Sequence, residues 1–345
     1  MFNIIKYKHY LYMKGDYNKN GRVDIGDAQY LASKILKNEE LNLEEGDLNN
    51  DGVVDMRDVI HIVKTLANVN HNIFEVTVNN NGGLNENNFT NYKNVILKAF
   101  DKWNTIIKGV KDNTINDFKI KINVNLNSLS GSVLGSASII DVYDNNGGSK
   151  SIVNVSEDNV FGRTLYPYSG TFTLNSNLIN LMNGIVSPRT GNSFLYYVTL
   201  HEIGHIIGIG QLWGLLGYSW DHNTIKSPVV EYTEDGETKY YYNGINGLRE
   251  YRNICSNQEL VGIPIEDDGG EGTCHVHIEE GNESGTSTDT RHINNIFHPG
   301  LDEELMTGWA ENPSEKDLSL SKVTIGLLDD LGYIVDYYMA DDFTL

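Results

Sequence analysis

The sequence predicts an α+β protein in which a small all-α module precedes a larger domain of mixed helices and strands. Three observations support this prediction. A loop-and-helix unit is repeated near the start of the chain, within residues 1–70. Residues 71–345 then combine short period-2 segments, which are typical of strands, with longer amphipathic segments, which are typical of helices. The total of 345 residues is about twice the usual size of one domain, which favours two unequal domains.

The composition indicates a folded and strongly acidic protein. Hydrophobic residues make up 39% of the chain and aromatic residues 10%, which is enough apolar surface for a sizeable core. The net charge of −21 makes nucleic acid and anionic membranes poor partners and makes cations good ones. No apolar run approaches the ~20 residues that span a bilayer. Charged residues interrupt the opening segment MFNIIKYKHYLYMKG, so it contains no clear signal peptide.

The repeat carries two sets of oxygen ligands. GDYNKNGRVDIGDAQYLASKIL, from Gly15, is echoed by GDLNNDGVVDMRDVIHIVKTL, from Gly46. Each copy has a glycine where such a loop must turn sharply, and alternate side-chain oxygens and one backbone carbonyl converge on a hard cation. We therefore expect two structural Ca2+ ions. The predicted ligands are Asp16, Asn18, Asn20, the carbonyl of Arg22, Asp24 and Asp27 in the first loop, and Asp47, Asn49, Asp51, the carbonyl of Val53, Asp55 and Asp58 in the second.

These two loop-and-helix units resemble a dockerin module over about residues 14–68. The last ligand of each loop is Asp rather than the Glu of the usual EF-hand. The resemblance implies docking on a cohesin-like protein through loop positions 10 and 11. Those positions hold Ile25 and Gly26, then Met56 and Arg57, which differ from the Ser/Thr pair of the best-known dockerins. An intramolecular role, as a rigid spacer against the second domain, is the alternative.

The second domain begins with a strand and a long helix. Residues 89–108 have an amphipathic pattern that predicts the helix. A Ser/Gly-rich stretch containing LGSAS follows the second strand, and residues 221–304 have little helical periodicity, which predicts a long irregular insertion. The predicted strands are residues 73–80, 118–126, 151–157 and 170–177.

The segment YYVTLHEIGHIIGIGQLWG carries the chemistry. His201 and His205 are four residues apart and so lie on one face of a helix, with Glu202 beside the first. Two neutral imidazoles one turn apart can both bind Zn2+, and the carboxylate can take a proton from the water that the metal activates. A buried polar set on an otherwise apolar helix would be costly without such a metal.

A third protein ligand is needed, because catalytic zinc sites normally use three and keep one position open. In the compact arrangement it lies six residues after the second histidine, but that position is Gln211. The open candidates are His222, His275, His277, His292 and His298.

The remaining motifs resemble those of leishmanolysin-like metalloproteases, which are metzincins with a delayed third histidine. They run over residues 73–336: FTNYKNVILKAFDKWNTII, SGSVLGSAS, HEIGHIIGIGQLW, YNGINGLREY, VGIPIEDDGGEGTCHVHIEE, EELMTG and LSKVTIGLLDDLGYIVD. The resemblance implies a metzincin-like domain in which His277 is the third ligand and Met306 forms the structural Met-turn beneath the metal. The segment between His277 and Met306 is longer than in typical members, so His298 is the second choice and His275 the third.

The resemblance implies a zinc endopeptidase acting on protein or peptide substrates outside the cell or attached to its surface, with Glu202 as general base. The alternative is a cohesin-type attachment protein whose second domain binds metal but is inactive. The two cysteines, Cys255 and Cys274, favour a disulfide that closes the glycine-rich loop before His277, over a free Cys274 thiolate that holds the zinc latent.

Overall fold

The computed structural model of the chain divides into two compact units, Met1–His71 and Asn72–Leu345, which are described separately below. The structure describes Tyr17 and residues 25–39, 41, 43–48, 52–66, 72–112, 115, 117–144, 148–152, 165–213, 228–234, 236–267, 269–270, 272–281, 291–316 and 318–345. No helix within these ranges is long and apolar enough to cross a membrane.

The first unit has two main helices that follow the two repeated loops. They are α1 (Ile25–Leu36) and α3 (Met56–Leu66), and the short α2 (Leu43–Gly46) lies between them. Leu31 of α1 and Ile62 of α3 are almost fully buried in a small apolar core with Leu48. The apolar positions of each repeat thus pack the two helices against each other.

The second unit is built on a five-stranded sheet with the order β1-β3-β6-β4-β5. β1, β3 and β6 are parallel, whereas β4 pairs antiparallel with β6, and β5 pairs antiparallel with the end of β4. The strands of the unit are β1 (Phe74–Asn79), β2 (Ile107–Val110), β3 (Ile120–Asn127), β4 (Gly135–Tyr143), β5 (Ser149–Ser151), β6 (Pro167–Asn175), β7 (Val229–Glu234), β8 (Glu237–Tyr242), β9 (Ile263–Pro264), β10 (Arg291–Ile293), β11 (Ile296–His298) and β12 (Tyr333–Val335).

Two long helices pack together and cover the sheet. In α4 (Glu86–Ile106) the side chain of Asn85 caps the first turn by accepting a hydrogen bond from the Asn88 N–H, and an apolar stripe that includes Trp103 is buried. In α6 (Phe194–Ile206) every residue except His201 is buried. The indole N–H of Trp103 donates to the carbonyl of Leu200 at 3.0 Å, which joins the two helices. The remaining helices are α5 (Ile179–Gly184), α7 (Ile245–Ile254), α8 (Lys322–Asp330) and a short 3-10 turn, Tyr337–Met339.

Two parts of the chain are more regular than the sequence pattern predicts. Most of the Ser/Gly-rich stretch LGSAS forms the start of β4, which begins at Gly135 and pairs with β6. The expected irregular insertion at residues 221–304 contains the sheet β7-β8-β9, the hairpin β10-β11 and helix α7. The apolar stripe of α7 is narrow and consists mainly of Leu248 and Tyr251. The other residues of the segment are mostly polar, so the sequence pattern does not indicate a helix. Only the first two residues of the expected 151–157 strand lie within the described ranges.

Helix α7 is held in place by one buried carboxylate of α8. Asp330 accepts hydrogen bonds from the backbone N–H groups of Asn246 and Gly247 at 2.8 and 2.9 Å. These N–H groups lie in the first turn of α7 and have no partner within the helix. Asp330 therefore caps α7 and fixes this region of the second unit to α8.

Candidate metal centre

Two histidines of α6 and one from a distant turn come together in the second unit. The Nε2 atoms are 3.0 Å apart between His201 and His205, 3.1 Å between His201 and His277, and 2.9 Å between His205 and His277. His205 and His277 are buried and His201 is half-buried. The three imidazoles therefore form a closed triangle of nitrogens that could hold a metal ion.

The hydrogen-bond partner of the second ring nitrogen, Nδ1, fixes the tautomer of each histidine. Each Nδ1 faces a backbone carbonyl: Leu305 for His201 at 2.7 Å, Ile209 for His205 at 3.0 Å and Thr273 for His277 at 2.7 Å. A carbonyl only accepts hydrogen bonds, so Nδ1 carries the proton and Nε2 presents a lone pair. Burial lowers the pKa of all three imidazoles, that of His277 to about 3, which keeps the rings neutral.

This donor set fits a tetrahedral metal ion. Three lone pairs directed at one point repel each other unless a cation lies between them. Nitrogens bound at 2.0–2.1 Å in tetrahedral geometry around Zn2+ would lie about 3.3 Å apart, close to the observed 2.9–3.1 Å. Hydrogen bonds from the second ring nitrogen to backbone carbonyls are also the usual way in which metal-binding histidines are oriented.

Glycines after α6 allow the His277 segment to approach. Gly208 and Gly210 both have positive φ angles, of 116° and 75°, which bend the chain out of the helix. A Cβ on Gly210 would lie 2.0 Å from the carbonyl oxygen of Val276. Only glycine leaves room for this contact, which brings the residue before His277 against the turn that follows α6.

Glu202 lies in a dry environment beside β4. Its side chain is buried, and burial raises the pKa of its carboxyl to about 8. A Cβ on Gly135, the first residue of β4, would lie 2.2 Å from Glu202 Oε1. A carboxyl whose pKa is near neutrality is suited to accept and return a proton.

Met306 lies behind the histidines and is anchored by a residue that the sequence reasoning did not identify. A Cβ on Gly204 would lie 2.5 Å from the Met306 sulfur, so Met306 packs directly against α6 between His201 and His205. Glu304 is fully buried and accepts a hydrogen bond from the Met306 N–H at 2.6 Å. It also accepts from the hydroxyl of Ser321, the N-cap residue of α8, at 2.9 Å. Glu304 therefore fixes the Met306 turn to α8.

Gln211, where the compact arrangement would have its third histidine, binds the backbone of β4 instead. Its Oε1 accepts from the Ile139 N–H at 2.9 Å, and its Nε2 donates to the Ala137 carbonyl at 2.8 Å. These backbone groups lie on the side of β4 that faces away from β6, because Leu134 pairs towards β6 and the direction alternates along a strand. The side-chain amide thus caps part of an edge that no strand covers among the described residues.

The other candidate histidines lie away from the triangle. His298 accepts from the Val261 N–H at Nε2 and donates from Nδ1 to the Ile296 carbonyl, so both of its ring nitrogens have protein partners. His275 is exposed and packs on the Tyr240 ring, and His292 is exposed beside Glu234. His222 lies outside the described residues.

The expected disulfide does not form in the structure. Neither Cys255 nor Cys274 is part of a disulfide. The Cys274 thiol donates to the Asp267 carbonyl at 3.3 Å. Burial raises the pKa of the Cys255 thiol to about 12, which keeps it protonated and unreactive.

The structure describes part of the expected calcium loops. Asp27, Asp47 and Asp58 are buried. Asp47 accepts from the Gly52 N–H at 2.8 Å, which closes the second loop, and Gly52 has the positive φ that its turn requires. Asp58 accepts from the Leu48 and Asp55 N–H groups, whereas the Asp55 side chain lies at the surface and pairs with Arg57. Val53 is exposed, and Asp16, Asn18, Asn20, Arg22, Asp24, Asn49 and Asp51 lie outside the described residues.

Comparison with known families assigns the first unit. Residues 14–67 match the dockerin type I domain. The chain therefore begins with a calcium-binding dockerin domain, followed by a mixed α/β unit that carries the histidine triangle. No curated protein matches the chain.

Proposed function

We propose that the chain is a zinc endopeptidase that is attached to a cohesin-bearing partner by its dockerin domain. One observation carries the enzymatic part of the proposal. The lone pairs of His201, His205 and His277 converge within 3.1 Å, and the buried carboxyl of Glu202 follows His201 directly in the helix. A metal site that is purely structural does not need an ionisable group with a pKa near neutrality beside it.

In this proposal His201, His205 and His277 hold Zn2+ through Nε2, and the carbonyls at their Nδ1 atoms keep the rings aligned. Bound zinc supplies Lewis acidity, which polarises a scissile carbonyl and makes a water molecule more acidic. Glu202 takes a proton from the attacking water and returns it to the leaving amine. Met306 and Glu304 keep the ligand side of α6 rigid.

The edge of β4 supports a peptide as the substrate class. Gly135 lies beside Glu202, and its backbone N–H and carbonyl lie on the side of the strand that faces away from β6. An extended peptide that added to this edge would form backbone hydrogen bonds independent of its side chains. Its scissile bond would then run past the Glu202 carboxyl.

The alternative, an attachment protein with an inactive metal-binding domain, is tested by activity. We expect the purified chain, supplied with Zn2+ and Ca2+, to cleave an unfolded protein, and Glu202→Gln to be inactive while it retains zinc. Glu75→Gln, an exposed position on β1, is the matched control and should be as active as the wild type. Wild-type protein that binds zinc stoichiometrically but cleaves nothing would contradict the proposal and favour the alternative.

The docking part is tested by binding. We expect the full chain to bind a cohesin module in Ca2+ and to lose that binding in a chelator. Asp27→Ala and Asp58→Ala, which remove one buried carboxylate from each calcium loop, should weaken binding without changing proteolysis. Absence of binding to every member of a panel of cohesins would contradict the docking role, and binding that a chelator leaves unchanged would contradict its dependence on Ca2+.

A further inference from the structure

The second unit contains three carboxylates that meet without enough positive charge to balance them. The side chains of Glu280, Asp302 and Glu311 each place an oxygen within 4.8 Å of the other two. They come from three segments of the chain: the end of the His277 turn, the residue after Leu301, and the loop after the Met306 turn. Lys316 binds Asp302 at 2.8 Å and is the one cation that pairs with any of the three within the described ranges.

One carboxylate oxygen of each acid in this cluster is buried and has no hydrogen-bond partner. Glu280 is 4% exposed. Its Oε2, together with Asp302 Oδ1 and Glu311 Oε2, is inaccessible to solvent and accepts no hydrogen bond. Buried carboxylate oxygens in proteins are normally hydrogen-bonded, paired or bound to a metal, because burial without compensation is strongly unfavourable.

A second acidic cluster shows how the chain balances charge where no ion is needed. Glu266, Asp267 and Glu279 also lie within 4.8 Å of one another. The buried guanidinium of Arg291 pairs with both Asp267 and Glu279, and Lys239 adds a further contact to Asp267 at 3.4 Å. Arginine and lysine thus offset two of the three negative charges of that cluster and leave a net charge of −1, whereas the Glu280 cluster would keep a net charge of −2 when its three acids are ionised beside Lys316.

We propose that Glu280, Asp302 and Glu311 form a Ca2+ site in the second unit, separate from the dockerin loops and from the histidine triangle. Oxygen-only ligands select a hard cation rather than zinc. Calcium–oxygen distances of 2.3–2.6 Å let two oxygens on one ion lie up to about 4.6–5.2 Å apart, and the three carboxylate oxygens lie within 4.8 Å of one another. The net charge of −2 balances the +2 charge of the ion.

The site ties together the segments that surround the histidine triangle. Glu280 lies three residues after His277, while Asp302 and Glu311 lie on either side of Met306. The carbonyl of Glu280 already lies against Gly300, where a Cβ would be only 2.4 Å away. An ion bound here would hold the third histidine and the Met306 turn in one rigid arrangement. This inference does not depend on proteolytic activity.

The proposal is tested on the full chain with Tb3+, a luminescent substitute for Ca2+. Trp309 lies two residues before Glu311, and residues 1–71 contain no tryptophan. Tb3+ emission that is sensitised by tryptophan therefore reports mainly on this site and not on the dockerin loops. We expect sensitised emission that Ca2+ displaces. Glu280→Gln should weaken this Tb3+ binding about tenfold or more, because affinity follows the number of charged ligands. Glu315→Gln, an exposed acid in the same loop, should leave it unchanged.

A second pair of measurements distinguishes loss of calcium binding from a folding defect. Calcium content by equilibrium dialysis should be one ion per chain lower in Glu280→Gln and in the less buried Glu311→Gln than in Glu315→Gln. Circular dichroism should show that all three are folded. No sensitised emission in the wild type, or equal emission and calcium content in Glu280→Gln and Glu315→Gln, would overturn the proposal.

Discussion

The Glu202 carboxylate occupies the space that a side chain at Gly135 would need, because a Cβ built on Gly135 would be 2.2 Å from Glu202 Oε1. The φ angle of Gly135 does not itself require glycine, so the requirement comes from this contact. The first residue of β4 therefore sets the position of the proposed general base.

Gly135→Ala should reduce proteolysis by about 10²-fold, because a displacement of about 1 Å in a catalytic group can have an effect of that size. Zinc content should not change, since the three atoms nearest to a Cβ at Gly135 all belong to Glu202. Steady-state hydrolysis and metal analysis on the same preparation check both statements. Gly184→Ala is the matched control, because a Cβ there meets no atom within 4 Å. Full activity in Gly135→Ala would contradict the role assigned to this contact.

His277→Ala should lose zinc, whereas His298→Ala should keep it. Removal of His277 leaves two of three nitrogen ligands, and zinc titration should show weaker binding by at least about tenfold. His298→Ala should lower the free energy of unfolding by about 1–3 kcal/mol, because the half-buried Val261 N–H and Ile296 carbonyl lose their partner. Zinc retained in His277→Ala and lost in His298→Ala would assign the third ligand to His298 instead.

Glu304→Gln should destabilise the Met306 turn. The Glu304 carboxylate accepts hydrogen bonds from Met306, Ser321 and Thr324. The amide group of a glutamine would place N–H donors where one carboxylate oxygen now accepts. We expect the free energy of unfolding to fall by about 2–4 kcal/mol in chemical denaturation. The neighbouring half-buried Glu303→Gln is the control and should change it little. A stability loss of equal size in both variants would show that the effect is not specific to this acceptor.

The stability of the calcium-free second unit should fall as pH rises. Burial is the main cause that raises the pKa of Glu280 to about 9 and that of Glu311 to about 7. The pKa of Glu280 is raised further by Glu311, Asp302 and Glu266. The charge of Asp302 also raises the pKa of Glu311, whereas the hydrogen bonds of Glu311 to the backbone and to Glu280 and the charge of Lys316 lower it. Both values lie above the ordinary 4.5, so the folded state holds more protons than the unfolded state. Their contribution is complete below pH 4.5 and is lost as pH rises through 7 to 9.

Tryptophan fluorescence checks this prediction, because it follows the second unit alone. Denaturation in a chelator should show lower stability at pH 8 than at pH 6, and added Ca2+ should remove most of the difference. Glu280→Gln should show a smaller pH dependence in the chelator and little response to Ca2+. A wild-type stability that rises over this range without Ca2+ would contradict the protonation states assigned to the cluster.

Local patterns in the sequence were sufficient for the parts of the site that lie on one element. The four-residue spacing of His201 and His205 and the apolar flanks of their segment predict a buried helix with both rings on one face, and α6 has that form. The calcium loops are equally local, and the match over residues 14–67 confirms the dockerin prediction.

Contacts between distant segments could not be predicted in this way. His277 was selected by resemblance to a family and not by its spacing. Gly135 contacts Glu202, and Gln211 binds the β4 backbone, because β4 passes close to α6. Glu304 can fix the Met306 turn because α8 packs beneath that turn. The Glu280 cluster draws its three acids from separate loops, so no repeating pattern marks it. The sequence pattern did not predict helix α7, because its apolar stripe is narrow. The expected Cys255–Cys274 disulfide was wrong, since the structure contains no such bond and the Cys274 thiol donates to the Asp267 carbonyl.

The amide of Gln211 also has a consequence for self-association. An uncovered sheet edge is a template on which other chains, including copies of the same protein, can add strands without selectivity. Because Gln211 binds the Ala137 carbonyl and the Ile139 N–H, these two groups cannot pair with an added strand. A foreign strand would therefore gain a shorter ladder on that side of β4. The Gln211 amide thus protects this part of the edge against aggregation.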